Sequence, residues 1–236
     1  MIVELTGCSG AGKTTLLEQI VEHCRERNLA VMTVPQVLLK PVPAPFVRHP
    51  TIQNVLLDAA AAFRRAVDPA RYRNFLAFAR AVIRRDSDYY LTGLNAYRGV
   101  LRALGVHAGL SRQAQSPIVF VDEGTIHQAH NILVHVERPA RHEDIDTFGK
   151  LVPVPDVIVY LSAPLEVVLA RTSVRQDPPL RLRSREENRR YVEHGHAMFA
   201  ALISHEAFSG KVVSVNCDED RRQYRQRACE IVECIA

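Results

Sequence analysis

Five short runs of apolar and mostly β-branched residues recur along the chain, and longer stretches with helical periodicity separate them. Nearly continuous apolar runs are typical of parallel strands buried on both faces, and the stretches between them are typical of amphipathic helices. The pattern predicts an α/β fold with a five-stranded parallel sheet flanked by helices. The predicted strands are Ile2–Leu5, Ala30–Val34, Ile118–Val121, Val157–Leu161 and Val212–Val215.

The interval from Pro35 to Pro117 interrupts this alternation. It opens with a proline-rich stretch, for which we expect an extended loop. Helical periodicity follows over residues 52–67, 71–85 and 89–104. An insertion of this size between two strands should carry a function. We therefore expect one domain over residues 1–236, with a helical insertion at about 35–117.

Composition narrows the class of protein only moderately. The chain has 236 residues, a formal charge of +4 and 47% hydrophobic residues, which are ordinary values for a globular α/β domain. No apolar run approaches the roughly 20 residues that a membrane helix needs. The cysteines form no C-x-x-C pair, and their odd number favours reduced thiols and a cytoplasmic location. They are Cys8, Cys24, Cys217, Cys229 and Cys234.

A glycine-rich motif follows the first predicted strand directly. It reads Gly7-Cys8-Ser9-Gly10-Ala11-Gly12-Lys13-Thr14 and fits the P-loop pattern G-x-x-x-x-G-K-[ST]. Glycines let backbone N–H groups close around phosphate oxygens, and the following helix adds its positive dipole end. Lys13 should reach the β- and γ-phosphates, and the Thr14 hydroxyl should ligate Mg²⁺. The motif predicts an ATP site over Gly7–Thr15.

Two carboxylates, Asp122 and Glu123, stand at the end of the third predicted strand. Ligands of such sheets bind beyond the carboxyl ends of the strands, where the P-loop also lies. We expect Asp122 to hold Mg²⁺ and Glu123 to orient or deprotonate the attacking group, although the two roles are interchangeable at this stage. The alternative is that both residues only cap a helix that begins near Thr125.

Arginines concentrate after the fourth predicted strand and its helix. Guanidinium groups pair with phosphoryl oxygens in a bidentate manner, so they suit a loop that closes over transferring phosphate. We expect such a lid at about 172–186, interrupted by Asp177-Pro178-Pro179. Its candidate catalytic residues are Arg175, Arg181 and Arg183. The alternative is a solvated, salt-bridged surface, which we favour for Arg189.

The order of these segments resembles the thymidylate kinase and deoxynucleoside kinase group. The resemblance rests on the P-loop, the strand that ends in an acidic pair, the segment Pro155–Arg171 and the arginine-rich loop. It implies Mg-ATP as phosphoryl donor, an arginine-bearing lid, and an acceptor site formed by the insertion with Asp122 and Glu123. It also implies that Asn216, after the fifth strand, lies near the adenine.

Two departures from that group leave the acceptor open. Its members commonly carry an arginine after the first acidic residue of the third strand, where this chain has Glu123. Their second strand often ends in an acidic residue and a proline, where this chain has Val34-Pro35-Gln36. A nucleotide, a related small molecule and an uncharged hydroxyl compound all remain candidates for the phosphate acceptor.

Other classes of function are weaker readings of the same residues. A P-loop ATPase could use Asp122 and Glu123 to activate water for a partner or polymer, but no second signature of such an assembly is present. We do not expect nucleic acid or a membrane as partner, because no concentrated basic stripe lies outside the predicted lid. His127 and His130 have a spacing that could hold a metal, without an evident third ligand. A homodimer is compatible with the sequence.

Overall fold

The five strands form one parallel sheet, as predicted from the sequence, and their order in the sheet is β2-β3-β1-β4-β5. The computed structural model describes residues 1–40, 42, 50–87, 90–112, 117–174, 184–217 and 221–235. Every strand pairing is parallel. The strands are β1 Ile2–Thr6, β2 Val31–Thr33, β3 Ile118–Asp122, β4 Val157–Ser162 and β5 Val212–Asn216.

Strand β1 is central in the sheet, between β3 and β4. Val3 and Leu5 are fully buried, and β1 pairs with β3 through Leu5↔Asp122 and with β4 through Thr6↔Tyr160. Parallel strands place their carboxyl ends along one edge. The end of β1 therefore lies beside the ends of β3 and β4.

Helices connect the strands and cover the sheet. Their bounds are α1 Lys13–Glu26, α2 Val34–Leu38, α3 Pro50–Ala66, α4 Arg73–Asp86, α5 Tyr90–Leu110, α6 Gln128–Leu133, α7 His142–Leu151, α8 Leu165–Ser173, α9 Arg185–Ile203 and α10 Arg221–Ile235, with a short 3₁₀ helix at Glu206–Phe208.

The insertion departs from the prediction at its two ends. Its proline-rich start is not wholly an extended loop, because Val34–Leu38 forms the short helix α2 with Pro35 in the first turn. Proline is tolerated there since the first-turn N–H groups have no partner inside the helix. The Gln36 side chain caps the turn by accepting a hydrogen bond from the Thr33 backbone at 2.7 Å. At the other end, α5 continues six residues beyond the predicted Leu104.

The hydrophobic core lies between the sheet and its helices and includes part of the insertion. Tyr72 and Phe75 are each 2% exposed, and Phe75 packs edge-on against Phe148 with ring centroids 5.4 Å apart. These aromatic residues therefore belong to the core, not to a base-stacking surface. Among the helices of the described ranges, none has the length and apolar character required to cross a membrane.

Candidate active site

The P-loop connects β1 to α1 with glycines in conformations that other residues rarely adopt. Gly7 has a φ of +145° and Gly12 a φ of +99°. A Cβ at Gly7 would lie 2.5 Å from the carbonyl oxygen of Leu161, and one at Gly12 would collide with the hydroxyl of Tyr224. Side chains are thus excluded by both backbone strain and packing. Tyr224, on α10, closes the outer side of the loop and is 6% exposed.

Lys13 is held against the loop that precedes it. Its ammonium group donates hydrogen bonds to the carbonyl oxygens of Gly7 at 2.9 Å and Cys8 at 3.2 Å. Lys13 is also the first residue of α1, so the free N–H groups of that helix end point the same way as the positive end of its dipole. The result is a concentration of positive potential suited to phosphate oxygens.

Cys8 lies inside the loop, where its thiol is 4% exposed. Burial raises the pKa of this thiol more than the nearby charge of Lys13 lowers it. The thiol is therefore protonated at neutral pH and is a poor nucleophile.

The acidic pair lies beside the P-loop at the end of β3. Partial burial raises the pKa of the Asp122 carboxyl, whereas Lys13 and the backbone N–H of Glu123 lower it. Glu123 has a φ of +59°, and this left-handed conformation turns the chain out of the strand. Its side chain is 68% exposed. The helix α6 begins only at Gln128, so neither carboxylate is positioned as its cap.

The turn that follows the acidic pair is held by Glu4, a buried carboxylate on β1. Glu4 is 1% exposed, and its Oε1 accepts the backbone N–H of His127 at 2.8 Å while its Oε2 accepts the Thr125 hydroxyl at 3.3 Å. A Cβ at Gly124 would lie 2.5 Å from the same carboxyl group. Burial raises the pKa of Glu4 to about 7. Glu4 was not predicted as a functional residue, although a single acid inside an apolar strand is itself a signal.

A stack of aromatic rings continues from this turn into α6 and α9. The imidazoles of His127 and His130 are stacked with centroids 5.6 Å apart, and both lie near parallel to the ring of Phe199. Tyr191 meets His130 edge-on at 5.1 Å, with its hydroxyl 3.4 Å from Nδ1. Burial lowers the pKa of His130 to about 3 and raises that of Tyr191 to about 12.

These features line one cleft of about 740 Å³. The cleft brings the P-loop, the acidic pair and the aromatic stack together, and it includes three residues that the sequence analysis did not single out: Asn131, Arg171 and Tyr191. They come from separate segments of the chain, so only the fold relates them. The lining residues are Ser9, Gly10, Gly12, Lys13, Thr14, Thr15, Asp122, Glu123, His127, His130, Asn131, Arg171 and Tyr191.

The remaining predicted site residues have three different outcomes. Gly7, Cys8 and Ala11 are buried beneath the loop surface and do not line the cleft. Asn216 is exposed at the end of β5 and is absent from the described residues that line the cleft. The three lid candidates, Arg175, Arg181 and Arg183, lie outside the described residues. Arg189 pairs with Glu193 at 2.9 Å on the surface of α9.

The oxygen ligands of the cleft suit Mg²⁺ better than a softer metal. Thr14 contributes an exposed hydroxyl and Asp122 a carboxylate to the same cleft, and Mg²⁺ prefers a few such oxygens together with phosphates and water. Within the described ranges, no group of three or more His, Cys, Asp or Glu side chains could hold a metal on its own.

The architecture is an α/β fold in which the P-loop motif connects β1 to α1 of a five-stranded parallel sheet. The sequence matches no protein-family model and no curated protein. The chain is similar in structure to a deoxyadenosine kinase from M. mycoides with dCMP and dCDP bound (TM-score 0.49, 11% identity, 100% of both chains covered). It is also similar to that kinase with dATP bound (0.46, 12%, 99% of this chain and 100% of the other) and to a shikimate kinase from Bacteroides thetaiotaomicron (0.47, 14%, 100% and 98%).

Proposed function

We propose that the protein is a phosphotransferase that moves the γ-phosphoryl group of ATP to a small-molecule acceptor of the nucleoside or nucleotide class. One observation carries the proposal: the P-loop and the acidic pair share a cleft with a further wall of polar side chains. An ATP molecule needs the loop and the metal ligands, whereas hydrolysis alone has no use for that wall. The wall gives room and hydrogen-bonding groups for a second substrate.

Each residue of the cleft has a distinct part in this proposal. Lys13 leaves its contacts with the Gly7 and Cys8 carbonyls to follow the transferring phosphoryl group. Glu123, exposed and turned out of the strand, accepts the proton of the acceptor hydroxyl or orients that group. Asp122 and Thr14 would hold Mg²⁺. Catalysis then comes mainly from positioning and from neutralising charge on the phosphoryl oxygens.

A bound Mg²⁺ would screen the charge of the β- and γ-phosphates during the transfer. The raised pKa of the Asp122 carboxyl is consistent with a group that gains from a nearby cation, because its burial disfavours the charged form until such a partner arrives. Lys13 gives part of that compensation in the protein alone.

The test is transfer of radiolabelled γ-phosphate from Mg-ATP across a panel of nucleosides, nucleotides and sugars. We expect labelled product with at least one acceptor and little ADP formation without it. Acceptor-independent ADP formation that a protein or polymer stimulates would contradict the proposal and support a P-loop ATPase. Asp122→Asn should raise the Mg²⁺ concentration needed for half-maximal rate, and Glu143→Gln, on the exposed start of α7, is the matched control.

A further inference from the structure

Residues 123–127 connect β3 to α6, and we call them the acidic turn because they begin at Glu123 and follow Asp122 directly. Glu123 has a φ of +59°. A residue with a side chain keeps this left-handed conformation only where its surroundings hold it there. The direction in which the two carboxylates leave the strand therefore depends on what holds the acidic turn.

Glu4 holds the acidic turn from the side of β1. Its carboxylate is 1% exposed and accepts the backbone N–H of His127 at 2.8 Å and the Thr125 hydroxyl at 3.3 Å. The backbone N–H groups of Thr125 and Ile126 face the same carboxylate. These N–H groups lie ahead of the first full turn of α6 and have no partner inside that helix. One buried side chain therefore serves three consecutive backbone N–H groups.

Two further contacts bind the acidic turn. The side-chain amide of Gln128 donates to the carbonyl oxygens of Glu123 at 3.4 Å and Gly124 at 3.2 Å. The Thr125 hydroxyl also donates to the carbonyl oxygen of Pro153 at 2.6 Å, which ties the turn to the segment before β4. The N–H groups and the carbonyl oxygens of the turn are thus bound by different side chains.

Gly124 shows that the acidic turn and Glu4 depend on each other. The φ of Gly124 is not positive, so its backbone conformation is open to other residues. A Cβ at this position would lie 2.5 Å from the Glu4 carboxyl group. Packing against Glu4, and not backbone strain, therefore requires a glycine here.

The acidic turn reaches the cleft at both of its ends. Glu123 and His127 line the cleft, and Glu123 Oε1 lies 3.9 Å from His127 Nε2. Glu4 is not among the described residues that line the cleft. Its effect on a reaction in the cleft must therefore pass through the turn. Reacting groups have to be placed within a fraction of an ångström, and a displacement of about 1 Å costs roughly 10² in rate.

We propose that Glu4 is a positioning residue for phosphoryl transfer, because its bonds to the acidic turn hold Asp122 and Glu123 in place beside the P-loop. This inference rests on the proposed function. Glu4 touches neither substrate and accepts no proton in the reaction. Loss of its bonds should slow the chemical step, whereas the P-loop and its affinity for ATP should be preserved.

The test is steady-state kinetics of Glu4→Leu and Glu4→Gln with Mg-ATP and an acceptor that the natural protein phosphorylates. Leucine removes both acceptor oxygens, so we expect kcat to fall about tenfold or more while the KM for ATP stays within about twofold. Glutamine still accepts the His127 N–H through its side-chain oxygen, so it should keep kcat within about threefold of the natural value. An unchanged kcat in folded Glu4→Leu would overturn the inference.

Asp144→Asn is the matched control for a general loss of stability. Asp144 is also a buried carboxylate, 8% exposed, and it pairs with Arg85 at 2.6 Å. It is not one of the described residues that line the cleft. Circular dichroism during thermal unfolding measures the stability of each variant. If kcat falls equally in Asp144→Asn and Glu4→Leu, the loss at Glu4 is a stability effect and the inference is wrong.

A double-mutant cycle gives a second test that does not depend on Glu4→Leu being folded. Gly124→Ala alone should lower kcat, because its Cβ displaces the Glu4 carboxyl group. In a Glu4→Ala background the same change should have little further effect, because the space is open. Additive effects on kcat, or an unchanged kcat in Gly124→Ala, would overturn the inference.

These outcomes concern Glu4 alone and leave the proposed function standing as long as the natural protein transfers phosphate. Absence of transfer to every acceptor by the natural protein would contradict the proposed function and this inference together.

Discussion

The P-loop and the imidazole wall, which consists of His127, His130, Asn131 and Tyr191, face one cleft but are built in different ways. The P-loop consists of nine consecutive residues that are suited to bind phosphate mainly through their backbone N–H groups. Steric exclusion fixes the backbone conformations of Gly7 and Gly12. The imidazole wall is made of side chains, and its members His130 and Tyr191 lie 61 residues apart in sequence. One region carries concentrated positive potential, and the other is neutral because burial suppresses the ionisation of its rings.

This difference separates what a phosphate donor requires from what an acceptor requires. Phosphates are the same in every nucleotide, so a local backbone motif can bind them in many proteins. An acceptor is recognised by its particular shape and hydrogen bonds, which side chains from distant segments must match. Changes in the P-loop should therefore affect all substrates equally, and changes in the wall should depend on the acceptor.

The largest effect should come from Lys13→Ala. It removes the cation that follows the transferring phosphoryl group, so we expect kcat to fall by at least about 10³-fold with every acceptor. The folded state should persist because Lys13 bonds to loop carbonyls and is partly exposed. Steady-state kinetics with thermal unfolding tests this, and Lys150→Ala on α7 is a surface control. Retained turnover in a folded Lys13→Ala variant would contradict the assignment of the P-loop as the site of phosphoryl transfer.

The lid arginines come next. Alanine at Arg175, Arg181 or Arg183 should lower kcat more than it raises the KM for ATP, because developing charge is stabilised mainly in the transition state. An arginine in this role is worth on the order of 10³ in rate. Lysine should rescue only partly, since a point charge cannot reproduce the bidentate fork. Arg189→Ala, already paired with Glu193, is the control. Normal kinetics in all three alanine variants of the lid would favour the alternative function, a P-loop ATPase.

A smaller effect is expected at the acidic pair. Glu123→Gln should lower kcat by about 10²-fold with little change in the KM for ATP, because it removes a proton acceptor and leaves the metal ligands in place. Asp122→Asn should instead change the Mg²⁺ dependence. Kinetics as a function of Mg²⁺ separates the two roles. If Asp122→Asn lowers kcat and Glu123→Gln changes the Mg²⁺ dependence, then Asp122 is the proton acceptor and Glu123 the metal ligand. If neither variant changes the rate, the acidic pair is not part of the active site.

The smallest effect concerns stability and involves Glu4. Burial raises its pKa from 4.5 to about 7, so the folded state holds this proton more tightly than the unfolded state does. Its contribution to stability is therefore complete below pH 4.5 and is lost as the pH rises through 7. Glu4→Gln stays neutral and can still accept the His127 N–H. We expect the variant to match the natural protein near pH 4 and to exceed it at pH 8.

Urea unfolding at these two pH values measures the difference, which should be on the order of a few kcal/mol. His127 and His130 titrate in both proteins, so the comparison removes their contribution. Equal pH dependence of the two proteins would mean that Glu4 does not change its protonation within this range.

The sheet and the position of the P-loop between β1 and α1 could be predicted from the sequence because both depend on local pattern. The apolar runs give the strands, and the P-loop binds through its backbone, so residue types at fixed spacing are enough. Glu4 was missed since its role is to bond a turn more than a hundred residues away. Tyr191 was missed since only the packing of α9 against α6 brings it to His130.

Errors inside the insertion have local physical causes. Pro35 was interpreted as the start of an extended loop, but a proline in the first turn of a helix loses no hydrogen bond, and Gln36 caps that turn. The helix α5 continues past Leu104 because its remaining residues pack into the core, and Leu110 is only 3% exposed. The two glycines in this segment lower its intrinsic helix propensity, but burial of its apolar side chains in the core stabilises the helix nevertheless.

The contact between Gly12 and Tyr224 has a consequence for the order in which the molecule folds. The P-loop connects β1 to α1, but the side chain that packs on it comes from α10, which follows the other four strands in sequence. Contacts of such sequence separation form late, because a long loop must close first. The P-loop is therefore completed only after α10 has docked against it.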